Sequence, residues 1–263
     1  MCVEVNQIDK MNLMRLTALI FSLIILAGCQ PRRMEDDFLI FEEDYFNGLL
    51  AYRPTFGTLS GIHQYDEMLE DFNRGRIEGR IEELRVQAAR LAALREHVLV
   101  ASEAIDAEIL QQRIGAEIFE LVEERAWEKN PMIYMGQPGE AVDALIKRDF
   151  APGRERIPAV VARMQGVPRL VDAMKANVQN PPREFTELAL RMAQGSVAFF
   201  KDTVPRWAAP FATVAERGRV EKASLLAQLA MEDAVVWLQR DLLPRSKGSF
   251  ALEIGRASWR ERV

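Results

Sequence analysis

Apolar residues recur along most of this chain at three- and four-residue steps, the signature of helices that bury one face. Between residues 35 and 52 the row is Phe38, Phe41, Tyr45 and Leu49. Glu35, Asp36 and Asp37 fall in the first turn of that helix, where carboxylates suit its dipole, and Pro54 ends it. Residues 54–66, PTFGTLSGIHQYD, read as a loop rich in Gly, Thr and Ser. Over 76–100 the row is Ile77, Ile81, Leu84, Ala88, Leu91 and Leu94, with charged residues on the other faces. A further helix is predicted over 102–124, capped by Ser102, with Ile105, Ile109, Ile114, Ile118 and Leu121 as its apolar side. Residues 127–139, containing Asn130-Pro131 and Pro138-Gly139, read as a connector. Shorter helices follow over about 139–149, 154–165, 168–179 and 183–203, bounded by Pro152-Gly153, Gly166, Pro168 and Pro181-Pro182. The last helix is predicted over 219–242, with Leu225, Leu229, Val236 and Leu243 on one side. Strand-like alternation and a 34-residue repeat are both lacking. The pattern predicts an all-α fold, a multi-helix antiparallel bundle-like array.

One apolar stretch does not fit that scheme. Leu16 to Leu26, LTALIFSLIIL, is 11 residues long, and spanning a bilayer takes about 20. It has the length of a signal-peptide core, and Arg15 supplies the preceding positive charge. Leu26-Ala27-Gly28-Cys29 follows directly. Small residues before a cysteine leave the backbone uncluttered for a signal peptidase, and the stretch resembles the lipobox of bacterial lipoproteins. That resemblance implies that Cys29 is alkylated with diacylglycerol and acylated after cleavage, so the partner is membrane lipid. Gln30 in place of Asp favours the outer membrane, which predicts a protein lipid-anchored at its periplasmic face. Glu4 and Asp9 are acidic where such a signal is basic, which leaves Met1, Met11 and Met14 as alternative starts. The organisation expected is a signal peptide over 1–28, a lipidated tether over 29–34, and a helical domain over 35–252.

Composition narrows the function. A chain of 263 residues with 49% hydrophobic and 28% charged residues has the make-up of a globular protein, one large domain or two small ones. A net charge of −5 gives no footprint for nucleic acid. Two cysteines allow no disulfide framework, and cleavage before Cys29 would leave that one alone.

The chemistry-bearing motifs are few. A zincin needs two His one helical turn apart beside a Glu, which takes a proton from the metal-bound water. Here His63 and His97 stand 34 positions apart and neither is followed by Glu. There is no Gly-x-Ser-x-Gly, no phosphate loop and no Gly-x-Gly-x-x-Gly. The glycines of Arg74–Arg80 have the wrong spacing for phosphate, His97 reads as a solvated helix residue, and Glu123-Glu124 and Asp36-Asp37 read as solvated faces. The compact turn Gly61-Ile-His-Gln-Tyr-Asp66 is the best candidate, with His63, Tyr65 and Asp66 as a polar cluster near a cleft. The competing reading is a turn whose side chains bond its own backbone.

Several segments together carry a family resemblance. They are Arg53–Asp66, Trp127-Glu-Lys-Asn-Pro-Met-Ile-Tyr134, Arg156-Ile-Pro158 with Ala173–Asn177, Pro181-Pro182 with Phe185–Ala189, and Trp237–Pro244. In order, they resemble the N-terminal half of the bacterial domain-of-unknown-function 885 family, DUF885, over roughly 38–252. Members look like helical zinc metallopeptidases with a C-terminal His-Glu and Pro-Gly-His metal site. The resemblance implies that this chain is the N-terminal part of such a fold and stops before that site. No catalytic residue and no metal ligand then carries over, and zinc and a peptide substrate belong to the intact parent. It also maps a cleft loop onto Gly61, His63, Tyr65 and Asp66. Residues 253–263, EIGRASWRERV, depart from the family pattern and resemble a non-native tail. Two functions are open: a truncated, catalytically inactive member of a metallopeptidase-like envelope family, or a non-enzymatic helical lipoprotein that binds a partner.

Overall fold

A computed structural model describes residues 34–96 and 100–249. The signal segment, the lipobox with Leu26, Ala27, Gly28 and Cys29, His97 and the 253–263 tail lie outside the described residues. The chain divides into two compact units, Met1–Ile40 and Phe41–Val263. Helix α1, Met34–Tyr52, starts in the first unit and continues into the second. Within the second unit, Phe41, Tyr45 and Leu49 are buried, as their spacing predicts.

Segment 54–66 is more ordered than a loop. It opens with α2, Pro54–Leu59, and closes with a 3-10 turn over His63–Tyr65. Pro54 stands at the start of α2, where its missing N–H takes nothing from the helix. Helix α3, Arg74–Arg95, is capped by Asn73, whose side-chain oxygen accepts the Arg76 N–H at 3.0 Å. Helix α4, Ala101–Phe119, begins earlier than predicted. Val100 rather than Ser102 precedes it, and the Glu103 carboxylate accepts the Val100 N–H at 3.0 Å.

Helices α3 and α4 pack together across a bidentate ion pair. Arg80 donates from Nε and Nη2 to the two Glu117 carboxylate oxygens at 2.9 and 3.2 Å, and both residues are buried. Burial works against the Arg80 charge, but the bonds and charge of Glu117 and Glu83 outweigh it and hold its pKa above the usual value. The pair fixes the rotation of α4. Its inner row is Ala107, Leu110, Ile114 and Glu117, so Ile105 and Ile109, predicted inside, face outward.

A π turn, Glu120–Glu124, then leads through Arg125 into the one-turn helix α5, Ala126–Lys129. The expected connector over 127–139 is mostly helix, because α6 runs from Met132 to Lys147 through Pro138. The two helices predicted over 154–165 and 168–179 are one, α7, Gly153–Asn177, with Pro158 and Pro168 inside it. Each internal proline removes a backbone bond and costs about 3 kcal/mol. The buried row Ile157, Val160, Met164, Val167, Val171 and Met174 runs through both, and packing on two neighbours offsets that cost. Gly166 is a close approach rather than a break: a Cβ there would lie 3.1 Å from the Leu69 side chain.

Helix α8, Arg183–Ala198, a π turn over Phe199–Thr203 and the short α9, Val204–Ala208, follow. Helix α10, Val214–Trp237, starts five residues before the predicted point and ends in a third π turn, Leu238–Leu242. Its start is set by a reciprocal cap between Thr213 and Glu216. Helices α6 and α10 each pack against both α7 and α8, closing a four-helix ring. The inner row of α10 is Val220, Ala223, Ala227, Met231 and Ala234, continued by Leu238 in the π turn. Leu225, Leu229 and Val236, predicted to be that inner side, are 54%, 52% and 47% exposed. Alanine lets α7 and α8 approach α10 closely, and leucine there would hold them apart. No strand occurs among the described residues, so the fold is all-α, a bundle-like array. No helix among them is long and apolar enough to cross a membrane.

Candidate functional site

A cavity of about 230 Å³ opens where the end of α1, helix α2, the Glu120–Glu124 turn, α5 and α6 meet. Its apolar wall includes Phe56, Leu59, Phe72, Leu121, Trp127 and Ile133. A relay of hydrogen bonds holds that wall. Asn177 on α7 donates to the Phe72 carbonyl at 2.6 Å and to the Tyr134 hydroxyl at 3.0 Å. Tyr134 donates to the Trp127 carbonyl at 2.7 Å, and Trp127 Nε1 donates to the Leu121 carbonyl at 2.9 Å. Burial pushes the Tyr134 phenol well above its ordinary range.

The polar part of the cavity is rich in acceptors. Glu70 is buried and accepts from the Thr55 N–H at 3.0 Å and the Thr55 hydroxyl at 2.8 Å. Burial raises its pKa, and the two Thr55 bonds and Arg163 offset this only in part. Tyr52, 3% exposed, lines the same space, and its hydroxyl has no hydrogen-bond partner. Burial pushes that phenol up to about 12. The buried side-chain oxygen of Gln137 is also without a partner. Arg53 and Glu120 pair at 3.2 Å, both part-exposed, and Glu140 is exposed.

The turn singled out from sequence stands behind this cavity. Gly61 has a φ of +82°, a left-handed conformation that suits glycine. His63 Nδ1 and Asp66 Oδ2 are 2.9 Å apart, and the imidazole stacks on Phe150 with centroids at 3.7 Å. The Thr58 hydroxyl donates to Asp66 Oδ1 at 2.5 Å, and the Tyr65 hydroxyl donates to the Asn47 carbonyl at 3.4 Å. Arg163, fully buried on α7, completes the network. It donates to the Thr58 hydroxyl at 2.5 Å and to the carbonyls of Met68 at 3.0 Å and Ala141 at 2.5 Å. Burial lowers its pKa, and Glu70 and Asp66 act in the other direction. So Gly61, His63, Tyr65 and Asp66 come together as one turn, and Asp66 and Arg163 grip Thr58. The residues of this segment that bound the cavity are Thr55, Phe56 and Leu59 of α2. The turn thus supports the wall from outside.

Sequence reasoning passed over Tyr52, Glu70, Gln137 and Arg163. Arg163 had a signal: it interrupts the apolar row Ile157, Val160, Val167 on α7. Arg80 and Glu117 interrupt their rows in the same way. Tyr52, Glu70 and Gln137 come from separate segments and had none.

The zinc implied for the intact parent finds no fitting donor set here. Among the described residues no group of three or more His, Cys, Asp or Glu is placed to hold a metal. His63 is committed to Asp66 and Phe150.

Fold and cavity together define an all-helical protein with a four-helix ring and a small acid-lined pocket beside it. The chain belongs to the bacterial protein family of unknown function DUF885, which it matches over residues 54–263. Among solved structures it is similar to a suspected lipoprotein of unknown function from Shewanella oneidensis, at 24% identity and a TM-score of 0.67. That likeness covers 79% of this chain and 37% of the other, and it speaks for the fold. No curated protein matches the chain.

Proposed function

We propose that this protein is a lipid-anchored envelope protein whose DUF885 domain is the N-terminal part of a larger, metallopeptidase-like helical fold. The observation that carries the anchor is Leu26-Ala27-Gly28-Cys29 directly after the 11-residue apolar core. Cys29 would be the acylated N-terminus of the mature chain, with the domain at the periplasmic face of the outer membrane. The suspected lipoprotein among its structural relatives supports the same reading. Exposed Leu225, Leu229 and Val236 on one face of α10 suit docking against further helices of an intact parent. They equally suit the second reading, a non-enzymatic helical module that binds a partner there. In the first reading zinc and the peptide substrate belong to the intact parent, and this chain alone does not hydrolyse peptides.

The anchor is tested by feeding cells an alkyne-tagged fatty acid and fractionating their membranes. The wild-type chain is expected to carry label in the outer-membrane fraction, and Cys29→Ala to lose both the label and the membrane. Unlabelled wild-type protein would overturn the anchor. Zinc-dependent peptidase activity of the purified chain would overturn its assignment as an inactive part.

A further inference from the structure

The outer edge of the seam between α1 and α4 is both apolar and acidic. The two helices run side by side in the same direction, because the groups that face each other rise together along both. Glu42 meets Asp106, Tyr45 meets Arg113, and just past the helix ends Arg53 meets Glu120. Phe46 shares the Glu42 face of α1 at a four-residue step, and Ile109 shares the Asp106 face of α4 at a three-residue step. Ile105 lies one turn before Ile109. Phe46, Ile109 and Ile105 are 47%, 58% and 63% exposed, and large apolar groups lined along an open seam mark a surface that something covers.

Carboxylates crowd the same seam. Burial pushes the Glu42 pKa up, and the charges of Asp106 and Glu103 push it further the same way. Asp44 and Glu108, on neighbouring faces, have cations in Arg90 and Arg95. Among the described residues no cation pairs with Glu42, Glu43 or Asp106, and Arg113 stands farther along, at Tyr45. Like charges held together without a counter-charge repel, so the seam favours a cation laid along it. A second copy of this face would set carboxylates against carboxylates, and anionic lipid headgroups would be repelled in the same way. An occupant with basic residues beside an apolar stripe satisfies both features, and a helix seated between two helices presents such a stripe at three- and four-residue steps.

We propose that the α1–α4 seam docks a basic amphipathic helix of a partner protein, with its apolar stripe on Phe46, Ile105 and Ile109 and its Lys or Arg side chains at Glu42, Glu43 and Asp106. The inference is independent of the anchor, of any peptidase parent and of the α10 face, and its failure leaves all three untouched.

The test uses the purified full chain in phosphatidylcholine nanodiscs, with empty nanodiscs as the baseline, and fluorescence anisotropy of labelled 14-residue peptides. The probes are an amphipathic Leu–Lys helix, an isomer with the same composition whose leucines are spread round the helix, and an analogue with Glu for Lys. The expected result is one amphipathic Leu–Lys peptide bound per chain, with the other two at least about tenfold weaker. Ile105→Gln with Ile109→Gln, and separately Glu42→Gln with Asp106→Asn, are each expected to weaken binding about tenfold. Leu225→Gln with Leu229→Gln on α10 should leave it unchanged. The α4 isoleucines are exposed, so the melting temperature should hold in their variant. Absence of Leu–Lys binding, equal binding of the isomer, or an equal loss in the α10 variant would overturn the proposal. A wild-type dimer that the isoleucine variant dissolves would give the seam to a second copy and overturn it as well. The peptide series needs no variant, so it decides the question even if a substitution disturbs folding.

Discussion

The two ends of the Phe41–Val263 unit are held together by different chemistry. Between residues 53 and 120, charged and polar pairs stand among the apolar contacts such as Ile77, Leu84 and Ile114: Arg80 with Glu117, Arg53 with Glu120, and Glu70 with Thr55. Between residues 132 and 242, helices meet through alanine, valine and methionine, as where α10 presents Ala223, Ala227 and Met231 to α7 and α8. Alanine interfaces bring backbones close and leave no room for a ligand. Charged interfaces hold helices at the length of their side chains, and the cavity lies where that side meets α5 and α6. Arg163 joins the two regions, seated in the apolar ring yet bonding Thr58 and Met68. The rigid ring thus serves as a base, and the polar region is built out from it.

The largest expected effect comes from breaking the charged interface. Glu117→Ala leaves Arg80 buried without its main partner and should cost about 3–5 kcal/mol in urea denaturation. Next comes Ala227→Leu, which forces extra methylenes between α10 and its neighbours and should cost about 1–3 kcal/mol by the same measurement. If the leucine variant lost more stability than the alanine variant, the contrast between the regions would have to be reversed.

The smallest and most specific effect is in pH dependence, where one carboxylate from each region moves in the opposite direction. Glu70 has a folded-state pKa raised by burial above its ordinary 4.5. Its contribution to stability is present below 4.5 and is lost as pH rises through the raised value. Glu216, at the α10 cap, is lowered from 4.5 to about 2, first by the Thr213 N–H and hydroxyl and then by Arg154. Its contribution is present above 4.5 and is lost as pH falls through about 2. Thermal melts against pH should therefore show Glu70→Gln losing less stability than wild type on the alkaline side of 4.5. Glu216→Gln should flatten the acid limb between 4.5 and 2. Parallel curves for all three proteins would refute both assignments.

Legibility in the sequence followed the size of the residues that carry each contact. The α1 row of Phe41, Tyr45 and Leu49 announced itself because its large side chains are the buried ones. The α10 face was inverted for the same reason, since leucines drew attention while alanines made the contact. Prolines hid the continuity of α7, because the packing that offsets Pro158 and Pro168 comes from α6 and α10. The turn at Gly61, His63, Tyr65 and Asp66 was visible as a local motif. Its neighbour Arg163, 97 positions after Asp66, was not. The cavity was invisible altogether, because Tyr52, Glu70 and Gln137 meet only after folding.

The reach of Arg163 sets an order in time. Its bonds to Met68, Thr58 and Pro54 span 95, 105 and 109 positions, whereas the Arg80–Glu117 pair spans 37. Contacts between distant positions must first overcome the entropy of closing the intervening chain, so local pairings form sooner. As the chain emerges from the ribosome, α3 and α4 can already join while Thr58 and Asp66 still wait for α7. The α3–α4 pair is therefore made early, and the clasp that holds α2 beside the cavity closes only once α7 is present.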